Sequence, residues 1–325
     1  MRAIVCRALD GPDSLELADL PEPQPGACGV RLRVRAAGVN FADSLMLKGQ
    51  YQERPPLPFT PGLEVAGEIE AVGAGVRGLA PGQRALAIVP HGGFAEQVVA
   101  RAEDVVLLPE HMDDITAAGF AIAYGTAHGA LRWRADLHAG ETLLVHGAGG
   151  GVGLTAVECG KAMGAMVIAT ARGADKRAVA KAHGADHVLD SETDDIKGQV
   201  KELTGGRGAD VVYDPVGGAM FDASLRCIAW EGRIVVIGFA SGSVPQIPAN
   251  LLLVKNAAAL GFYWGSYRKH DPKRLRSGFE ELFGWYREGR IRPHVSTTLP
   301  LAETADAIRL LMDRRSVGKV VVTVP

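Results

Sequence analysis

The sequence predicts an α/β protein of two domains, one of them built on a doubly wound parallel sheet, and three observations predict it. The length of 325 residues is about twice that of an ordinary domain. From about residue 119 to 269, apolar runs alternate with amphipathic stretches, as parallel strands covered on both faces by helices do. Before that region the texture is β-rich, and after it a short tail returns to a strand.

In the first region, Val30–Ala36 and Val65–Val72 read as strands punctuated by Gly and Pro. Pro55, Pro56, Pro58 and Pro61 exclude a helix or a central strand over 55–62, which leaves an ordered loop or an edge. In the second region the expected strands are Thr142–His146, Met166–Thr170, His187–Leu189, Asp210–Asp214 and Arg233–Ile237. The first helix between them aligns Val152, Ala156, Cys159 and Met163 on one face and puts Glu158 and Lys161 elsewhere. In the tail, Phe279, Leu282, Phe283 and Tyr286 at i, i+3, i+4, i+7 predict a helix, and Gly318–Val324 a closing strand. That tail is too small for a third domain and is expected to dock onto the first, giving domains of 1–118 with 270–325 and of 119–269.

Composition narrows the partners. Hydrophobic residues at 47% and charged residues at 22% exclude wholesale disorder. A formal charge of -2 gives no general pull toward nucleic acid or anionic membrane, so a small molecule is the expected partner. Cys6, Cys28, Cys159 and Cys227 form no CxxC pair, which removes a zinc knuckle and a dithiol redox motif. No apolar run reaches ~18 residues without a charge, and the N-terminal segment lacks a signal-peptide core, so a cytoplasmic location is expected. The basic stretch Arg268–Arg276 reads as a solvated helix face, with a handle for the polyphosphate of a CoA thioester as the sharper alternative. Arg132-Trp133-Arg134 reads as a helix terminus packing its Trp.

The strongest local signal runs from Leu143 to Gly153: a strand, then Gly147-Ala148-Gly149-Gly150-Gly151-Val152-Gly153, then a helix. Gly147, Gly149 and Gly151 permit tight turning, while Gly150 and Gly153 let backbone and helix approach a pyrophosphate. The helix N-terminus would offer free N–H groups and partial positive charge to that anion. The run reads as the dinucleotide loop of a Rossmann domain. An NAD site places Asp or Glu at the end of the second strand to grip the ribose 2′-hydroxyl. Here the chain reads Ala171-Arg172-Gly173-Ala174-Asp175-Lys176, with no acid at the tip, and Arg172 and Lys176 would hold a 2′-phosphate instead. Asp175 belongs to the helix start, so NADPH is the expected cofactor.

With Val39-Asn40-Phe41-Ala42-Asp43, Pro61-Gly62-Leu63-Glu64-Val65-Ala66-Gly67, the glycine loop and Gly318-Lys319-Val320-Val321, the chain resembles the medium-chain dehydrogenase/reductase superfamily. Specifically, it is similar to the zinc-independent quinone oxidoreductase (zeta-crystallin-like) branch. The resemblance spans essentially the whole chain. It implies a GroES-like catalytic domain formed by both chain ends, an inserted Rossmann domain, and a cleft where nicotinamide meets substrate. A homodimer joined through the edge of the Rossmann sheet, here Leu251–Leu260, is likewise implied.

Zinc-dependent members carry Cys where this chain has Asn40 and His where it has Leu63, and a four-cysteine lobe that Arg84–Phe94 lacks. Glu64 remains, but one carboxylate cannot replace three or four ligands. His91, His111, His128 and His146 are scattered singly and read as satisfied or surface histidines. Without a Lewis acid the acceptor must delocalise its own charge, which points to quinones and α,β-unsaturated carbonyls. Asn40 is the expected polar group beside nicotinamide and substrate, Tyr51 a hydrogen-bond donor, and Asp43 a support. By resemblance, Thr126, Gly238, Phe239, Phe262 and Trp264 pass near the cofactor, Ser191 lies beside the adenine, and Arg314 lies near the 2′-phosphate. Leu45 replaces a Tyr of some members, which leaves a more apolar pocket. Two alternatives stand: an enoyl-thioester or acrylate reductase using the same site, and a non-catalytic NADPH- or RNA-binding crystallin-like protein.

Overall fold

The computed structural model describes all 325 residues, and they divide into two compact units: Met1–Ile122 with Pro293–Pro325, and Ala123–Arg292. The first is the GroES-like unit. Its seven-stranded sheet runs Val295–Pro300, Lys319–Thr323, Gly29–Val39, Glu64–Val72, Arg84–Ile88, Val105–Leu107, and Gln97–Arg101 pairs with Gly29–Val39 off that path. All pairings are antiparallel except that of Val295–Pro300 with Lys319–Thr323. Gly29–Val39 is long enough to take three partners, and Val30, Leu32, Val34, Ala37 and Val39 from it anchor the core with Val65, Ile69, Phe94 and Val320. Its register sets Val39 opposite Val320 and Gly38 opposite Glu64. That register gathers the residues following Val39, those opening Glu64–Val72, and those opening Lys319–Thr323, although they lie far apart in sequence.

The second unit is a six-stranded parallel sheet, the Rossmann unit. Across it run His187–Asp190, Met166–Ala171, Thr142–Val145, Ala209–Asp214, Ile228–Val236 and Ala258–Gly261. In chain order this is 3-2-1-4-5-6, the doubly wound arrangement whose order reverses beside the first strand. Leu144, Ile168, Val212 and Ile234 from successive strands pack with Phe221, Leu225 and Val200 from the covering helices. The five expected strands stand within a few residues of their places. The exception is the start of the fifth, which extends back to Ile228.

Two expectations need correction. The helix Pro272–Arg287, assigned above to the first domain, belongs to the Rossmann unit, whose boundary is near 293 rather than 270. Its apolar face explains why: Phe279 meets Trp264 edge to face at 6.2 Å, Trp285 meets His128 at 5.5 Å, and Glu281 binds His128 Nε2 at 2.7 Å. Phe262 and Trp264 follow the strand Ala258–Gly261, and Trp264 opens a 3-10 turn. Glu158, read as lying off the buried face, is itself buried. It accepts from Tyr124 Oη and the Arg292 N–H and is bonded to His183 Nδ1, so its charge is met inside the unit. No helix is long and apolar enough to cross a membrane.

Candidate active site

The glycine loop leaves the strand Thr142–Val145 through His146. This imidazole is fully buried between Thr170 Oγ1 (3.0 Å) and Ser224 Oγ (2.7 Å), a satisfied histidine that ties the loop's entry to its neighbours. The helix Gly151–Ala162 starts at Gly150, and its first intrahelical bond runs from Leu154 N–H to Gly150 O at 2.8 Å. The N–H groups of Gly151, Val152 and Gly153 therefore have no acceptor within the helix and carry its positive end. A Cβ at Gly153 would lie 2.2 Å from Gly147 O, so only glycine lets the helix close onto the loop. Gly149 serves a different contact. A Cβ there would meet Lys176 Cβ, Cγ and Cδ at 2.5–2.9 Å, so the lysine stem lies across the loop.

Arg172, just past the end of Met166–Ala171, is exposed and 3.5 Å from Glu192. Ser191 follows the end of the adjacent strand, its N–H bonded to Ala171 O at 3.2 Å. Thus Gly149, Lys176, Arg172 and Ser191 share the carboxyl edge of the sheet, where ligands bind in this fold. Gly238 and Phe239 follow the strand Ile228–Val236 at the same edge, and Phe239 is exposed. Thr126 is buried in the helix Ala121–Gly129. Trp264 packs against the neighbouring Gly125, and its buried indole N–H has no partner. Phe262 stands apart: its ring packs with Trp133 and Tyr267 at 6.5 and 5.6 Å, so its side chain is taken up by packing. Arg314 belongs to the GroES-like unit, in left-handed backbone at φ 57°. Glycines a Cβ would block, open helix N–H groups, a lysine across the loop and an unpaired indole N–H together fit a dinucleotide.

Asn40, Asp43 and Tyr51 lie in the GroES-like unit. Asn40 precedes the helix Phe41–Met46, and the Asp43 carboxylate accepts its N–H at 2.7 Å. Asp43 is fully buried; burial pushes its carboxyl up to about 7 against the opposing pull of the Asn40 N–H and the Lys319 charge. Its other oxygen, Oδ1, has no hydrogen-bond partner. Tyr51 is half-buried against the core.

The Asn40 side chain meets two groups that no local pattern connects to it. Its Nδ2 donates to Glu64 Oε1 at 2.8 Å, and its Oδ1 accepts from Lys319 Nζ at 2.8 Å. Lys319 also donates to Glu64 Oε1 at 2.8 Å and to Val39 O at 3.0 Å, using all three of its protons. Glu64 Oε2 accepts the Ile122 N–H at 2.8 Å. A Cβ at Gly38 would lie 2.4 Å from Glu64 Oε1, so glycine there admits the carboxylate. Lys319 is the functional candidate that sequence reasoning did not single out; the only signal is its place in the terminal Gly318-Lys319-Val320-Val321 run.

This donor set does not fit zinc. Of the positions that carry ligands in zinc-dependent relatives, Asn40 is an amide, Leu63 is a buried hydrocarbon, and Glu64 has both oxygens engaged. An ammonium already sits among them, and no group of three His, Cys, Asp or Glu is placed to hold a metal ion.

Comparison with known proteins agrees with this architecture. Residues 26–110 match the family described as Alcohol dehydrogenase GroES-like domain, and residues 151–281 that described as Zinc-binding dehydrogenase. The chain is 41% identical over 324 residues to Quinone oxidoreductase-like protein 2 homolog of Nematostella vectensis, covering 99% of this chain and 88% of that protein. It is 38% identical to Quinone oxidoreductase of Pseudomonas aeruginosa, covering 97% of each. The structure of mycobacterial Rv1454c complexed with NADPH superposes with a TM-score of 0.94 at 34% identity, covering 99% of this chain and 100% of that one. Sequence, fold and relatives together place the chain in the quinone oxidoreductase branch of the medium-chain dehydrogenase/reductase superfamily.

Proposed function

We propose that the chain is an NADPH-dependent oxidoreductase that reduces a quinone or another conjugated carbonyl without zinc. The observation that carries this reading is the pairing of a dinucleotide loop with a donor set saturated by the Lys319 ammonium. Relatives named quinone oxidoreductases and a neighbour solved with NADPH support it.

The nicotinamide, when bound, supplies hydride; the chain's own residues bind and orient. The open N–H groups of Gly151, Val152 and Gly153 take the pyrophosphate, and Lys176 and Arg172 pair with the 2′-phosphate. The Trp264 indole N–H and Thr126 are donors for the far end of the dinucleotide. Asn40 sets the polar wall beside the substrate and Tyr51 donates to its oxygen. With no Lewis acid to hold a developing alkoxide, an acceptor that spreads charge by conjugation is required. The same requirement admits enoyl thioesters and acrylates. A second copy of the chain pairs at the edge strand Ala258–Gly261, beside the helix Ala249–Lys255 with its exposed Leu253 and Val254.

The test is steady-state NADPH oxidation with 1,4-benzoquinone, 9,10-phenanthrenequinone, an alkenal, an acrylate and crotonyl-CoA, before and after chelation. Turnover of the conjugated acceptors, unchanged by chelator, is expected. Turnover lost together with a stoichiometric metal defeats the zinc-free reading. Tight NADPH binding with no turnover of any acceptor would mark a binding protein instead.

A further inference from the structure

The side chain of Asn40 is an amide, and an amide has two ends that differ only in which one donates. Its orientation is set by what faces each end. Here both neighbours are unambiguous. Lys319 has only protons to give, so Oδ1 must face it; the Glu64 oxygen that pairs with the same lysine accepts, so Nδ2 must face it. The contacts are 2.8 Å each, and the three side chains are buried: Asn40 is 7% exposed, Glu64 0% and Lys319 6%. Lys319 gives its third proton to Val39 O, one residue before Asn40, so it grips the backbone and the side chain of the same segment. The Asn40 N–H is held by Asp43. What stays available on Asn40 is one lone pair of Oδ1 and one Nδ2 proton, whose other contact, Gly38 O, is long at 3.4 Å.

We propose that Lys319 is a positioning residue for the reaction: its ammonium fixes the Asn40 amide in one orientation toward the substrate. The proposal rests on the reading of Asn40 as the polar group beside the substrate. Its physical content is separate from charge balance. A buried carboxylate needs a counter-charge in any case, but a donor placed at 2.8 Å from Oδ1 as well gives the Asn40 amide the second contact that holds it against rotation about its bond to Glu64. Loss of Lys319 leaves the bond to Glu64 as the one short contact of the Asn40 side chain, and the amide then swings about it, away from the orientation that the substrate oxygen requires.

The test compares wild type, Lys319→Met, and Lys319→Met/Glu64→Gln, with two readouts. The first is kcat and KM with NADPH and the best conjugated acceptor. The second is the side-chain amide spectrum of [15N]Asn-labelled protein, which is simple because Asn40, Asn250 and Asn256 are the chain's only asparagines. Lys319→Met should lower kcat roughly tenfold or more and leave the KM for NADPH within about twofold, because the glycine loop, Arg172 and Lys176 lie in the other unit. The Asn40 pair should shift or broaden while those of Asn250 and Asn256 stay in place.

The double variant removes both charges and so guards against simple unfolding. In it the glutamine side chain that replaces Glu64 must keep an oxygen toward the Ile122 N–H and turn its amide nitrogen to Asn40, which reverses the Asn40 amide. Its Tm should recover while kcat stays low. Recovery of kcat together with Tm would show that Lys319 only neutralises Glu64 and would overturn the proposal, as would an unmoved Asn40 signal in Lys319→Met. Wild type that oxidises no acceptor would end the functional reading, while the amide spectra would still decide whether Lys319 holds Asn40.

Discussion

The glycine loop of the Rossmann unit and the Asn40 cluster of the GroES-like unit are both polar sites, yet they handle polarity in opposite ways. The loop leaves its donors open: three helix-end N–H groups without helical acceptors, reached across glycines that admit a large anion. The cluster closes on itself, with Lys319, Glu64 and the Asn40 side chain bonded to one another. A site that must bind a charged ligand keeps its electrostatics unsatisfied until the ligand arrives. A site that must present one group in one orientation satisfies everything else first.

The contrast is broken most severely at Gly153. Any side chain there drives a Cβ to within 2.2 Å of Gly147 O, so the helix end and the loop cannot both keep their places. Gly153→Val should abolish measurable NADPH binding, a loss on the order of 100-fold or more in Kd by fluorescence titration. Retention of near wild-type affinity would mean that the loop does not hold the pyrophosphate.

The cluster is tested through Asp43, whose carboxyl is raised from the usual range to about 7 by burial. Between about pH 4 and 7 the unfolded chain has released a proton that the folded chain still holds. Stability from this group is therefore full below about pH 4, falls as pH rises through that window, and levels off above it. The nominal shift corresponds to on the order of 4 kcal/mol. Asp43→Asn keeps an acceptor for the Asn40 N–H but cannot ionise. Urea denaturation should show the variant gaining several times more stability relative to wild type at about pH 8 than at about pH 5. Equal differences at the two pH values would mean that Asp43 is ionised throughout.

These two regions also differ in how far the sequence exposes them. The loop is contiguous: Gly147 to Gly153 follow an apolar strand, and the physical demands on the backbone leave their mark on neighbouring residues. The cluster is assembled by register. Asn40 and Glu64 sit in recognisable segments, but Lys319 is 279 residues from Asn40 and meets it only because Val39 pairs with Val320. No periodicity encodes such a meeting. The same cause explains the misplaced helix Pro272–Arg287: its apolar spacing was readable, but the surface it covers, formed by His128, Trp133 and Trp264, was not. Glu158 shows the limit from the other side, since a helical position says nothing of a buried carboxylate whose partners are Tyr124, His183 and Arg292.

The smallest effect sharpens the comparison within the loop itself. Lys176 lies with its stem across Gly149, at the carboxyl edge of the sheet. A charge-assisted bond to a 2′-phosphate contributes about 1.5–3 kcal/mol, whereas the same lysine gains little from a ribose hydroxyl. Lys176→Ala should therefore raise the KM for NADPH roughly 10- to 100-fold and move that for NADH less than about threefold. Arg172, exposed and facing Glu192 at 3.5 Å, has to leave that acid to help, so its removal should weigh less. An equal loss with both cofactors on Lys176→Ala would assign the lysine to the pyrophosphate or to the loop's packing, and cofactor choice would then fall to Arg172.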